Sequence, residues 1–152
     1  MRHVLAALLP AVGCALYYFG LPALLTLVIS SAAAMLTEWA ITRFMLKRPS
    51  TLGDCSALLT GVLLALNLPA SLPWWMTAAG AVFAIAIAKM AFGGLGCNIF
   101  NPALTGRVFL LISFPAATTA WPLPDPGFGD ADGATGATLL SRLKESATDV
   151  IP

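Results

Sequence analysis

The chain has 152 residues, of which 59% are hydrophobic and only 10% charged, with a mean hydropathy of +0.87. Soluble domains carry about a quarter charged residues, so this balance excludes an ordinary water-soluble fold and places the chain in a bilayer. A formal net charge of +1 with no basic block excludes nucleic acid as a partner.

Five apolar segments follow one another. The first runs from about Val4 to Phe19 and breaks at Gly20-Leu21-Pro22. The second runs from Ala23 to about Phe44 and ends among Arg43, Lys47, Arg48 and Pro49. The third, with Asp54 as its expected N-cap, reaches Leu66. At about a dozen residues it is short for ~30 Å of hydrocarbon. The fourth spans Trp74 to Phe92; the fifth opens after Asn101-Pro102 and fades at Phe114-Pro115, and is short too. The predicted fold is all-α: a polytopic integral membrane protein of about five spanning or half-spanning helices, a fragment of a larger bundle with an internal repeat. Residues 1–117 form the helical region and 118–152 an extracytoplasmic loop. No small-residue cleavage site precedes a soluble domain, so a cleaved signal peptide is not expected.

Charge sets the expected orientation. Arg2, Arg43, Lys47 and Arg48 fall on one side of the first hairpin, while the turns at Gly20–Pro22 and Asn67–Pro73 carry no charge. The positive-inside rule then puts the N-terminus in the cytoplasm and the tail from Thr118 onward outside. Trp74, Trp75 and Trp121 fall at outer interfaces, where indoles are favoured. Lys89 is expected to snorkel to the cytoplasmic face.

Leu59-Thr60-Gly61 and Leu104-Thr105-Gly106 form a short repeat, each opening a short helix after a polar loop. Matching short helices point either to a midplane site at their N-termini or simply to close helix packing through small residues. The loop Gly93-Gly94-Leu95-Gly96-Cys97-Asn98-Ile99-Phe100-Asn101-Pro102 gathers three glycines, two asparagines and a proline in an apolar chain. Irregular backbone of this kind suits a flavin ring, a quinone or an ion path, and plain turn chemistry explains it equally.

Intramembrane charges are costly and therefore functional candidates. Glu38 and Arg107 are the two here. Glu38 pairs poorly with Arg43 five residues on; Arg107 is an alternative partner, and both residues also suit a role as headgroup anchors. Cys14, Cys55 and Cys97 are scattered, the first two reading as small apolar fillers, and they cannot supply the four thiolates of an iron–sulfur cluster. His3 stands alone near a terminus, and no metal-ligand set or hydrolytic triad is visible.

The tail holds Asp132-Gly133-Ala134-Thr135-Gly136-Ala137-Thr138, a polar turn-forming loop after an oily chain. Two hydroxyls on glycine-loosened backbone are accessible to a modifying enzyme. The stretch Leu139 to Glu145 is weakly amphipathic and suits a membrane surface or a lead into further helices.

The pattern D-x-x-[ST]-G-A-T, met by Asp132, Thr135, Gly136, Ala137 and Thr138, resembles the flavinylation motif of membrane flavoproteins. Gly93 to Arg107 and Asp54 to Gly61 are similar to signatures of the same family. Together they resemble the RnfD component of the Rnf electron-transport complex, with the NqrB component of the sodium-pumping NADH:quinone reductase as its sibling. The resemblance implies FMN on Thr138 through a phosphoester, with Asp132 and Thr135 recognised by a flavin transferase and a second, non-covalent flavin in prospect. It implies partner subunits, one with its own flavin, in a bacterial inner membrane, and electron transfer between ferredoxin and NAD coupled to cation movement. Family members are much longer, so the chain reads as truncated; Cys97 and Leu139 depart from the family pattern. Two flavin-free readings compete: half of a transporter or channel built on the repeat, and a scaffold for redox partners.

Overall fold

A computed structural model describes residues 1–46, 52–94 and 96–122. All regular structure among them is helical: α1 (Arg2–Ala40), α2 (Ser56–Leu66), α3 (Trp74–Phe83), α4 (Pro102–Ser113) and the single turn α5 (Pro115–Thr119). α1 continues through Ile41–Met45 and α3 through Ala84–Met90 in widened turns. There the backbone bonds skip five residues, as in Leu46 N–H to Ile41 O at 3.0 Å and Ala91 N–H to Ala86 O at 3.1 Å. The run Arg2–Met45 is long and apolar enough to cross a membrane, and the other three helices are shorter and apolar. The all-α class expected from the sequence is the one observed among the described residues, and its apolar helices are consistent with a membrane protein.

Three boundaries differ from expectation. The first two segments are one helical run, interrupted at the single residue Gly20 (φ 59°, ψ −138°) rather than by a loop. Glycine takes that left-handed value without a Cβ penalty, and Pro22, two residues on, has no N–H to donate. Asp54 is not the cap of α2. It ends a short tight turn, Leu52–Asp54, and Cys55 occupies the cap position with φ 55°. α3 with its extension stops at Met90, short of Phe92, because the glycines that follow take positive φ. Asn101 behaves as read: its side chain accepts from Ala103 N–H at 3.0 Å, with Pro102 as the first helical residue.

The core begins at Ala23; every buried residue of α1 lies between there and Glu38. Ala34, Leu64, Ala81, Ile85, Ala103 and Leu110 are its centre. Small residues let the helices touch. A Cβ on Gly61 would come within 2.7 Å of Ser31 Cα, and Ser30 Oγ donates to Gly61 O at 2.8 Å. A Cβ on Gly106 would meet Ala84 Cβ and Gly80 O, each at 2.9 Å. Both glycines of the Leu-Thr-Gly repeat are therefore close-approach positions, each seated on the long helix that precedes it. Phe83 and Phe109 stack at 4.1 Å, and Trp75 meets Phe114 edge-on at 5.4 Å, fastening α3 to α4.

Candidate functional site

The repeat extends beyond the three residues that first mark it. Leu21-Pro22 precedes Thr26 on α1, and Leu72-Pro73 precedes Thr77 on α3 with the same spacing. Each threonine hydroxyl donates to the proline carbonyl four residues back, at 2.9 Å and 3.4 Å. Twelve residues past Thr26 stands Glu38; twelve past Thr77 stands Lys89. Two helix–helix units thus carry opposite charges at matching places.

Those charges meet. Lys89 Nζ lies 2.8 Å from Glu38 Oε2 and also donates to Ser56 Oγ at 2.6 Å. The side chains are 3% and 1% exposed, so the pair sits inside the bundle. This corrects two expectations. Lys89 does not snorkel, and Glu38 pairs with neither Arg43 nor Arg107. The reason is local: the widened turn Ala84–Met90 ends α3 with Lys89 turned inward, and Ser56 opens α2 beside it. Ser56 O accepts from Thr60 Oγ1 at 3.0 Å, so the repeat's threonine braces the serine that holds the lysine. A carboxylate near the free N–H groups that open α2 also has favourable electrostatics. The spacing from the Leu-Pro pairs was the signal in the sequence that points to this pairing.

Arg107 is elsewhere. Its Nη1 donates to Asn67 Oδ1 at 3.1 Å. Asn67 caps the far end of α2 from Ser56, and its Nδ2 donates to Leu63 O at 2.8 Å, which fixes the amide. An eleven-residue helix separates the two polar levels by about 16 Å. Among the described residues Arg107 has no carboxylate partner.

The glycine loop is a tight turn. Gly93, Gly94 and Gly96 take φ of 106°, 97° and 88°. Gly94 and Gly96 face open space where a Cβ would stand, and Ile99 and Phe100 are exposed. Leu95 lies outside the described residues. Cys14 and Cys97 are exposed free thiols and Cys55 is half-buried. Trp74, Trp75 and Trp121 are exposed, which suits an interfacial belt. Asp132, Thr135, Gly136, Ala137 and Thr138 lie outside the described residues.

The chain is similar to known proteins along its whole length. The model of the NQR2, RnfD, RnfE family matches residues 1–151. The D component of the Na(+)-translocating ferredoxin:NAD(+) oxidoreductase complex of Acetobacterium woodii is 48% identical over 155 residues, covering 100% of this chain and 46% of that protein. The D component of the ion-translocating oxidoreductase complex of Stutzerimonas stutzeri is 43% identical, covering 97% of this chain and 47% of its own length. The component of the same name from Escherichia coli O1:K1 / APEC is 45% identical over 86% of this chain and 39% of its own. The chain spans less than half the length of these relatives.

Proposed function

The chain belongs to the NQR2, RnfD, RnfE family, and from that membership we propose that it works as the membrane component of an ion-translocating oxidoreductase complex and carries covalent FMN on Thr138. The observation that carries this reading is the Asp132-x-x-Thr135-Gly136-Ala137-Thr138 loop, found in a chain that matches the family over residues 1–151. A hydroxyl preceded by small residues is open to phosphoester formation by a transferase. Asp132 and Thr135 give that enzyme polar handles, and Gly136 and Ala137 keep its approach clear.

Bound flavin supplies one- and two-electron transfer; the chain supplies position and exclusion of water. Ferredoxin and NAD are the proposed ends of the electron path, reached through a second flavin-carrying partner, since the Acetobacterium woodii relative is named for that reaction. The basic cluster Arg43, Lys47 and Arg48 in the sequence supports a cytoplasmic 43–54 loop in a bacterial inner membrane, with the flavin loop outside. A second, non-covalent flavin at Gly93 to Asn101 is the further part of this proposal, supported by the open backbone at Gly94 and Gly96.

Mass spectrometry of the protein purified from its host membrane tests the assignment. A peptide containing Thr138 with the added mass of FMN is the expected result. Unmodified Thr138 in a complex that still transfers electrons overturns it.

A further inference from the structure

α4 buries one face and leaves another open. Ala103, Gly106 and Leu110 are buried against α2 and α3. Leu104, Val108 and Leu111 form the outward stripe, 51%, 51% and 42% exposed. Such a stripe alone reads as lipid-facing. Arg107 changes that reading, because it lies at the stripe's edge, one turn from Leu104 and Leu111 on the same helix.

A guanidinium in the lipid-facing wall of a short membrane helix is costly unless it reaches the headgroups. Arg107 does not reach for the start of its own helix. It turns to Asn67 at the opposite end of α2 from the Ser56–Lys89 level. One neutral carbonyl oxygen satisfies one of the five donors on the group. The bundle's described buried carboxylate, Glu38, already faces Lys89. Asn67 is itself anchored to Leu63 O, so its carbonyl oxygen is fixed toward the guanidinium. A fixed cation with open donors beside an apolar ridge fits a partner that is apolar and carries one carboxylate.

We propose that this ridge of α4 docks a membrane helix bearing a single carboxylate opposite Arg107, and that the helix comes from the half of the family's length that this chain does not span. The chain covers 46% of the Acetobacterium woodii relative and 47% of the Stutzerimonas stutzeri one, so as much sequence again exists in the family to supply it. The pairing rests on the chain's place in a membrane assembly and is independent of the flavin. It makes Arg107 a recognition residue: the apolar stripe gives contact area, and the ion pair fixes which helix docks and at what register.

The test uses the complex in its host membrane. A photoactivatable benzophenone side chain replaces Val108, and the adduct formed on irradiation is sequenced by mass spectrometry. The expected adduct is an apolar peptide from the remaining half of the family sequence, with an Asp or Glu within one helical turn of the attachment point. An adduct with lipid alone, or with a protein of another family, overturns the proposal. Charge reversal gives the second measurement. Arg107→Glu lowers the amount of this chain recovered in the assembled complex by about tenfold, Arg107→Lys retains most of it, and Arg107→Glu combined with the cross-linked carboxylate changed to Arg restores it. Normal assembly of Arg107→Glu, or no restoration by the double exchange, sinks the idea even if the variant chain is less stable on its own.

Discussion

Glu38 and Lys89 stand at matching positions in two repeated helical units, 51 residues apart, and touch at 2.8 Å inside an apolar bundle. A buried pair gains little net stability over a well-packed apolar pair, because both ions lose their water. Its asymmetry is the consequential part. Removing one partner takes from the other the opposite charge that offsets its burial.

Lys89→Met should therefore destabilise the bundle by about 3–5 kcal/mol, since the buried Glu38 carboxylate loses the Lys89 ammonium that offsets its burial. Glu38→Leu should do comparable damage through the stranded ammonium. The double variant Glu38→Leu/Lys89→Met should recover most of the loss. Thermal unfolding in detergent measures all three. If the double variant is as unstable as the sum of the singles, the pair is not the coupled unit described.

The glycines of the repeat give a second prediction. Gly61→Ala places a methyl 2.7 Å from Ser31 Cα, against backbone that cannot turn aside. Gly106→Ala meets Ala84 and the Gly80 carbonyl at 2.9 Å. Each should cost about 1–3 kcal/mol through forced helix separation. Gly13→Ala, with nothing within 4 Å, is the control and should be neutral or slightly stabilising. Equal melting temperatures for Gly13→Ala and Gly61→Ala would remove the close-packing explanation of the repeat.

How far the sequence alone reached is clearest at these residues. The all-α class, the two short helices and the Asn101-Pro102 start were legible, because composition and capping chemistry act locally. The Gly61 and Gly106 contacts were half legible: the tripeptide repeat showed that something recurs, and close packing was one of its two readings. The Glu38–Lys89 pair was not legible from charge alone. Lys89 lies near a helix end, where snorkelling is the usual outcome, and only the widened turn at Ala84–Met90 turns it inward. Asp54 failed as a cap because Cys55 takes the left-handed conformation, which nothing in its residue type announces. The proposed flavin loop was read from its residues and from the family resemblance, and lies outside the described residues.

The attachment reading separates three substitutions. Thr138→Ala should abolish the flavin fluorescence of this chain's band in a denaturing gel under ultraviolet light. Thr138→Ser keeps a hydroxyl and should retain part of it. Asp132→Asn should reduce labelling while leaving the hydroxyl in place, because the transferase loses a charged handle rather than its target. Full labelling of Thr138→Ala would move the flavin to another residue.

Orientation is testable through a thiol already present. Cys97 is exposed in the turn between α3 and α4, and Ser71 is exposed in the turn between α2 and α3. One helix, α3 with its extension, separates the two turns, so they belong on opposite sides of the bilayer if that helix crosses it. Arg43, at the end of α1 where Glu38 meets the Lys89 end of α3, assigns the Cys97 side to the cytoplasm. In sealed right-side-out vesicles, a membrane-impermeant maleimide should label Ser71→Cys in a Cys97→Ser background and spare native Cys97. In inverted vesicles the pattern should reverse. Ser71 Oγ donates to Ala120 O at 3.1 Å, a bond the thiol weakens, and the larger sulfur has room because Ser71 is exposed, so the substitution keeps the turn in place. Labelling of both thiols from one side would mean that α3 enters and leaves by the same face. The topology deduced from charge, and with it the outer placement of the flavin loop, would then be wrong.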